Sequence, residues 1–262
     1  MTRVRLTLAS DLASVSTLRD PGDIILFPEL VDGGYAALRK GNGVHTPGDA
    51  TLRHFRSLSL LPHTSCVAGS FALRRPRGDT TNSVLVYQRG RCIHRYDKIH
   101  LFRPAEEPRY FTSGRHIHAF TISVGRTRLR AGVILCYDLR FPELTRFLAR
   151  EGIELLLVPA RWPSVRDEAW RSLLKARAIE NQMFVAGCNA RGEEGGQSYV
   201  FDPMGTLLGK TETARDQAGC TVELDFAMVR SVRKRMHYLD DAVLLKRLAL
   251  PRGFTRRSPG RA

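Results

Sequence analysis

The chain has 262 residues, of which 43% are hydrophobic and 26% charged, the balance of a soluble globular protein of one domain or two small ones. No run of about 18 apolar residues occurs, which argues against a membrane-spanning helix. The net charge of +15 admits a nucleic-acid surface, but only six of the 41 basic residues are Lys, and Arg spread over the whole chain reads equally as a compositional bias. The densest basic clusters are residues 230–235 and the pair Arg256-Arg257. Five cysteines (Cys66, Cys92, Cys136, Cys188, Cys220) are scattered and odd in number, with no CxxC and no His at zinc spacing. Neither a disulfide framework nor a metal site is expected, and a reducing, cytoplasmic location fits.

In chain order, the first ten residues read as a strand with basic flanks, its apolar stretch too short and broken for a signal peptide. Residues 24–27 form a short buried strand closed by Pro28, after a gap of about fifteen residues. Further apolar runs at 66–70, 83–87, 132–135, 155–158 and 184–187, bounded by Gly or Pro, suit strands buried on both faces. A helix is expected over 142–151, with Pro142 in the first turn and Leu144, Phe147 and Leu148 on one side. Another is expected over 167–181, placing Trp170, Leu173, Leu174 and Ala178 on one side after Asp167 as a cap. The βαβ order with some hairpins predicts an α/β sandwich, with residues 1–250 as one domain and 251–262 as a mobile basic tail. No internal repeat is seen.

Three positions carry chemistry. Cys136 ends a buried strand and leads into a helix, where a thiol can be partly exposed with a lowered pKa; the alternative is a buried structural cysteine. Glu29 follows Ile-Ile-Leu-Phe-Pro at the mouth of a strand, where burial would raise its pKa and suit acid–base work; the alternative is a solvated loop carboxylate. Lys98 lies between apolar positions in Tyr96-Asp97-Lys98-Ile99-His100-Leu101-Phe102. Turned inward and paired with carboxylates, its ammonium would bind an oxyanion; the alternative is a surface lysine on an edge strand.

Taken together, Phe27-Pro28-Glu29-Leu30, Tyr96-Asp97-Lys98-Ile99-His100-Leu101-Phe102 and Cys136-Tyr137-Asp138-Leu139-Arg140-Phe141-Pro142-Glu143 resemble the three motifs of the nitrilase superfamily, in its order. The likeness runs from about residue 24 to about residue 240 and includes Gly69-Ser70, Asn82 and Asp202-Pro203-Met204-Gly205. It implies a four-layer αββα sandwich, paired as a dimer through the helices near the nucleophile, about residues 142–182. It implies Cys136 as nucleophile, Glu29 as general base and acid, and Lys98 with the Tyr137 peptide N–H as oxyanion donors. Glu107, seven residues before Gly114, would be the family's second glutamate, with Glu106 the weaker choice. No metal or organic cofactor is implied.

The residues after Cys136 resemble the amidase branches and not nitrilases proper, which tend to carry Cys-Trp-Glu. The segments Tyr110 to Gly114, Arg161-Trp162-Pro163, Ala176 to Gln182 and Val185 to Asn189 resemble omega-amidases, which deaminate 2-oxoglutaramate and related ω-amides of 2-oxo acids. Such substrates carry a carboxylate, for which Arg140 and Arg161 are candidate partners; Arg140 could instead pair with Asp138 or Glu143, and Arg161 be solvated. Trp162, Tyr137 and Phe111 are candidate pocket walls. An amidase for deaminated glutathione and a non-catalytic nucleic-acid-binding protein on the same scaffold are the rival readings. Two departures from the family pattern stand out: the short stretch before Ile24, which puts the first layer's packing in question, and a trimmed loop over 191–198, which bears on specificity.

Overall fold

The computed structural model describes residues 3–17, 21–192, 194–211 and 219–242; the expected tail at 251–262 lies outside them. One sheet comprises β1 (Arg3–Ala9), β2 (Ile24–Leu26), β3 (Val44–His45), β4 (Cys66–Arg74), β5 (Thr80–Gln88), β6 (Arg91–Asp97) and β13 (Gly219–Asp225). It is ordered β13-β1-β2-β4-β5-β6, with β3 also on β4. The second comprises β7 (Phe120–Val124), β8 (Thr127–Val133), β9 (Leu155–Ala160), β10 (Phe184–Asn189), β11 (Tyr199–Phe201) and β12 (Leu207–Lys210), in the order β12-β11-β10-β9-β8-β7. The helices are α1 (Gly34–Arg39), α2 (Ala50–Leu58), α3 (Glu107–Tyr110), α4 (Pro142–Arg150), α5 (Asp167–Asn181), α6 (Phe226–Met236) and α7 (Tyr238–Asp241).

Strand periodicity assigns the layers. Successive side chains of a strand point to opposite faces. Val4, Leu6, Leu8, Ile24, Leu26, Cys66, Ala68, Val84 and Val86 therefore enter the core shared with the second sheet. Their neighbours Ile25, Phe27, Val67, Phe71 and Leu85 face outward onto Leu52, Phe55 and Leu58 of α2. On the far side Leu144 and Leu148 of α4, Trp170, Leu174 and Ala178 of α5, and Phe226 and Val229 of α6 cover the second sheet. The order is helix, sheet, sheet, helix. Both central sheets are buried on two faces, which is why their strands read as continuous apolar runs.

The expected elements need local corrections. The run at 132–135 pairs only as far as Val133, because the chain must leave the sheet to turn at Cys136. Asp167 does not cap α5: it is the first helical residue, and its carboxylate accepts the Tyr199 hydroxyl at 2.6 Å. Between β1 and β2 the described residues hold only a 3-10 turn, Ala13–Thr17. Val15 from that turn joins the α2 cluster, so one buried side chain fills part of the layer the short segment leaves thin. Within the basic cluster of α6, Arg233 donates to the carbonyls of Ile153 at 2.6 Å, Gln182 at 3.1 Å and Asn181 at 3.3 Å. It caps the C-terminus of α5, where unsatisfied carbonyls favour a cation.

Helix α5 packs tightly on the second sheet at Gly187 in β10. A Cβ there would stand 2.5 Å from Leu174 Cδ1 and 2.6 Å from Trp170 Cζ2. Gly187→Ala is expected to lower the unfolding free energy by about 1–3 kcal/mol through overpacking, read as a lower urea midpoint at unchanged slope.

Candidate active site

The site lies where several chain segments leave the two sheets. After β2, the peptide of Phe27 still pairs with Ala68 O at 2.8 Å, and Glu29 N reaches Ala160 O at the end of β9 at 3.3 Å. Glu29 is thereby held between the sheets. Lys98 follows β6, its N–H on Asn82 O at 2.8 Å. Cys136 follows β8 and takes a left-handed φ of 47°, uncommon for a residue with a Cβ. It opens the 3-10 turn Cys136–Arg140.

Glu29, Lys98 and Glu107 meet in the interior with side chains 0%, 0% and 1% exposed. Lys98 Nζ stands 2.7 Å from Glu29 Oε1 and 2.6 Å from Glu107 Oε1. Asn82 Nδ2 donates to Glu29 Oε1 at 2.8 Å, and the Arg161 peptide N–H to Oε2 at 3.0 Å. Tyr35 Oη lies 3.1 Å from Glu29 Oε1 and also touches Glu107 Oε1. The Phe102 N–H donates to Glu107 Oε2 at 2.9 Å. The Cys136 thiol lies beside Glu29 and 3.7 Å from the Arg161 carbonyl oxygen. Glu106 is exposed and pairs with Arg109.

Protonation follows from the charge cluster. Burial pushes Glu29 up, but the Lys98 charge and hydrogen bonds from Lys98, Cys136 and Tyr35 outweigh it and hold the carboxyl below its ordinary range. For Glu107 burial wins, helped by the Glu29 charge, and the carboxyl sits above its ordinary value. Burial would strip the Lys98 proton, yet the two carboxylates overcome it and raise the ammonium's pKa. Burial and the Glu29 charge drive the Cys136 thiol well up, with Lys98 only partly offsetting them. Both sequence expectations are therefore reversed: the thiol is raised and the base lowered. The Lys98 cation sets the sign for Glu29, whereas burial and the Glu29 charge set it for Cys136. The resting site holds a neutral thiol beside an ionised carboxylate.

Cys136 forms the floor of a cavity of about 30 Å³ lined by Phe102, Tyr137, Arg140, Arg161, Trp162, Pro163 and Arg166. Arg140 stacks over Trp162 at 4.8 Å and Arg166 over Phe102 at 5.4 Å. Among the described residues no carboxylate pairs with either. Asp138 instead takes the Leu135 N–H at 3.2 Å, the Tyr96 hydroxyl at 2.7 Å, and the His100 N–H and Nδ1 at 2.8 and 2.9 Å. Arg161 lines the cavity, but its guanidinium is engaged by main-chain carbonyls and Glu194. Phe111 is not on the cavity; it packs with Leu30, Tyr35, Leu38 and Ala72. Tyr35, Phe102 and Arg166 were missed in the sequence, since no local pattern says that their side chains converge here. Among the described residues no group of three or more His, Cys, Asp or Glu is disposed to hold a metal ion.

Asp138 ties the nucleophile turn to the strand end that carries Lys98, so Asp138→Asn sets an amide N–H₂ against donors. It is expected to cost about 1–3 kcal/mol of stability, measured by urea unfolding.

Residues 8–234 match the family described as carbon-nitrogen hydrolase. A protein named 2-oxoglutaramate amidase from Bacillus subtilis is 32% identical over 225 residues, covering 84% of each chain. A deaminated glutathione amidase from Yersinia enterocolitica is 34% identical over 176 residues, covering 61% of this chain and 59% of that one. Among solved structures, XC1258 from Xanthomonas campestris, described as a CN-hydrolase superfamily protein, superposes with a TM-score of 0.77 at 26% identity, covering 92% of this chain and 98% of that one. The chain belongs to the carbon-nitrogen hydrolase family and is an amide-hydrolysing enzyme.

Proposed function

We propose that the enzyme is an omega-amidase, acting on a small carboxylated amide such as 2-oxoglutaramate through a thioester on Cys136. The observation that carries the mechanism is the Lys98 ammonium shared by Glu29 and Glu107 beside the Cys136 thiol. Glu29 takes the thiol proton as Sγ attacks the amide carbonyl carbon. The oxyanion is held by the third N–H of Lys98 and by the Tyr137 peptide N–H in the first turn of the 3-10 segment. Collapse breaks the C–N bond, and Glu29 passes its proton to the departing ammonia. Water then attacks the thioester; Glu29 takes a proton from it and returns one to the sulfur as the acid leaves. Glu107 stays on Lys98 throughout and keeps it charged.

Arg140, stacked on Trp162 and without a carboxylate partner among the described residues, is the group we assign to the substrate carboxylate, with Tyr137 and Trp162 as walls. The name of the Bacillus subtilis relative agrees with this choice. The deaminated glutathione reading has a relative in its favour, but that relative matches 61% of this chain, against 84% for the Bacillus subtilis protein. The nucleic-acid reading is weakened where basic groups are already engaged: Arg233 caps α5, Arg95 pairs with Asp97 at 2.8 Å, and Arg75 pairs with Asp79. We further propose a homodimer through α4 and α5 and, from five free thiols, a cytoplasmic location.

Purified protein is expected to release ammonia from 2-oxoglutaramate; Cys136→Ala abolishes release, and Glu29→Gln lowers kcat by about 100- to 10,000-fold. No release from the wild type, with turnover of other amides, would sink the substrate assignment alone. Arg140→Leu is expected to raise KM for 2-oxoglutaramate roughly 10- to 100-fold while sparing an uncharged amide. The pH dependence has a definite sign. Glu29 must be ionised to accept the thiol proton, and it is held below its ordinary value of 4.5. The acid limb of kcat/KM that reports it therefore lies below pH 4.5, with activity lost as pH falls through it.

A further inference from the structure

We infer that Arg161 is a positioning residue for Glu29, clamped by Glu194, and not the partner of the substrate's carboxylate. Its Nε donates to the Glu29 carbonyl at 2.8 Å and its Nη2 to the Leu30 carbonyl at 2.9 Å. These are consecutive carbonyls, so the planar guanidinium spans the turn that aims the Glu29 side chain. That turn needs holding, because Leu30 sits at φ 46°, where a residue with a Cβ is strained. The third face of the guanidinium meets Glu194 at 3.4 Å, and Glu194 also binds Arg39 of α1 at 2.6 Å. The Arg161 side chain is 12% exposed. Its main chain reaches the reacting groups as well, with the peptide N–H on Glu29 Oε2 at 3.0 Å and the carbonyl oxygen 3.7 Å from Cys136 Sγ.

The opposite wall is shaped for this arginine. Gly34 lies against it at φ 65°, and a Cβ there would stand 2.4 Å from Arg161 Cζ. Three of the five N–H donors are on two carbonyls and one carboxylate, and the Nε–Nη2 edge, a fork that would grip a carboxylate side-on, is closed to substrate by the Glu29 and Leu30 carbonyls. Arg140, exposed and stacked on Trp162, has its fork available. The shortened loop over 191–198 acquires a role: it carries Glu194 onto the arginine that fixes the base.

The inference rests on Glu29 acting as the base, and the test separates the two. The groups facing Glu29 are Lys98, Glu107, Tyr35, Asn82, Cys136 and the Arg161 peptide. The rate of Cys136 alkylation by iodoacetamide would be followed against pH, by mass spectrometry of the Cys136 peptide, in wild type, Arg161→Ala, Arg161→Lys and Glu29→Gln. Steady-state kinetics would use one neutral and one carboxylated amide.

Losing the guanidinium removes a cation beside Glu29 and frees its turn, so in Arg161→Ala the acid limb of alkylation moves to higher pH. On both amides kcat falls by up to about 100-fold with KM little changed. Added guanidinium ion restores part of the rate, and Arg161→Lys, with one donor centre for two carbonyls, is intermediate. A rise in KM confined to the carboxylated amide, with the limb unmoved, would overturn the inference and return Arg161 to substrate binding. If Glu29→Gln leaves the limb intact, the base assignment falls and takes this inference with it. If Glu29→Gln removes the limb but Arg161→Ala leaves it in place, only this inference falls. Should Arg161→Ala not fold, Glu194→Ala carries the test: a several-fold loss of kcat on the neutral amide at unchanged Tm supports the clamp, and unchanged kcat overturns it.

Discussion

A lysine ammonium with no exposure to water, lodged between two carboxylates, is the constraint around which the rest of this molecule is arranged. Isolated, each of these ions would cost several kcal/mol to bury. Together they are stable only while every partner is in place, since removing one leaves an uncompensated charge worth about 3–5 kcal/mol. Glu29 comes from the end of β2, Lys98 from the end of β6 and Glu107 from the start of α3. The cluster therefore joins the end of β2 to the segment running from β6 to α3, about seventy residues further on. Its surplus negative charge is met by neutral donors: Tyr35, Asn82 and the peptides of Arg161 and Phe102.

The layers serve that cluster. Two sheets packed face to face make a dry interior at their strand ends, where electrostatic interactions are strong. Helix α5 supports the nucleophile turn from behind, through Arg177 Nη2 on the Leu139 carbonyl at 2.8 Å. Asn189 at the end of β10 clasps the Trp162 peptide on both sides, each contact 2.8 Å. The cavity wall is thus held by β10 and the Cys136 turn by α5.

Much of this was legible in the sequence because its causes are local. A strand two-sided in its burial is a continuous apolar run, so the strands at Ile24, Cys66, Leu155 and Phe184 could be read directly. Glu29, Lys98 and Cys136 each sit one to three residues past a strand end, and the motifs around them are short and contiguous. What could not be read is non-local. The Asp167 carboxylate looked like a cap until Tyr199, 32 residues on, claimed it. The direction of the Glu29 shift depends on Lys98, and that of Cys136 on burial and the Glu29 charge, groups that meet only in three dimensions. Arg161 looked like a carboxylate reader because its neighbours in sequence line the cavity. Its fork turns toward Glu29 because Gly34 leaves the space open. Phe111, a further candidate wall, is drawn into a separate apolar cluster with Tyr35 and Leu38.

The fit between Gly34 and Arg161 has a bearing on how this chain can change. With the arginine in place, any side chain at position 34 collides with it and also meets a left-handed backbone. Once the arginine is replaced by a smaller residue, the steric objection disappears and only the backbone preference remains. The two positions can therefore be altered in one order more readily than in the other. A chain that first filled position 34 would push the arginine off the Glu29 and Leu30 carbonyls, whereas one that first gave up the arginine would meet no such clash. That asymmetry makes the pair a ratchet in sequence space, set by a single missing methyl group.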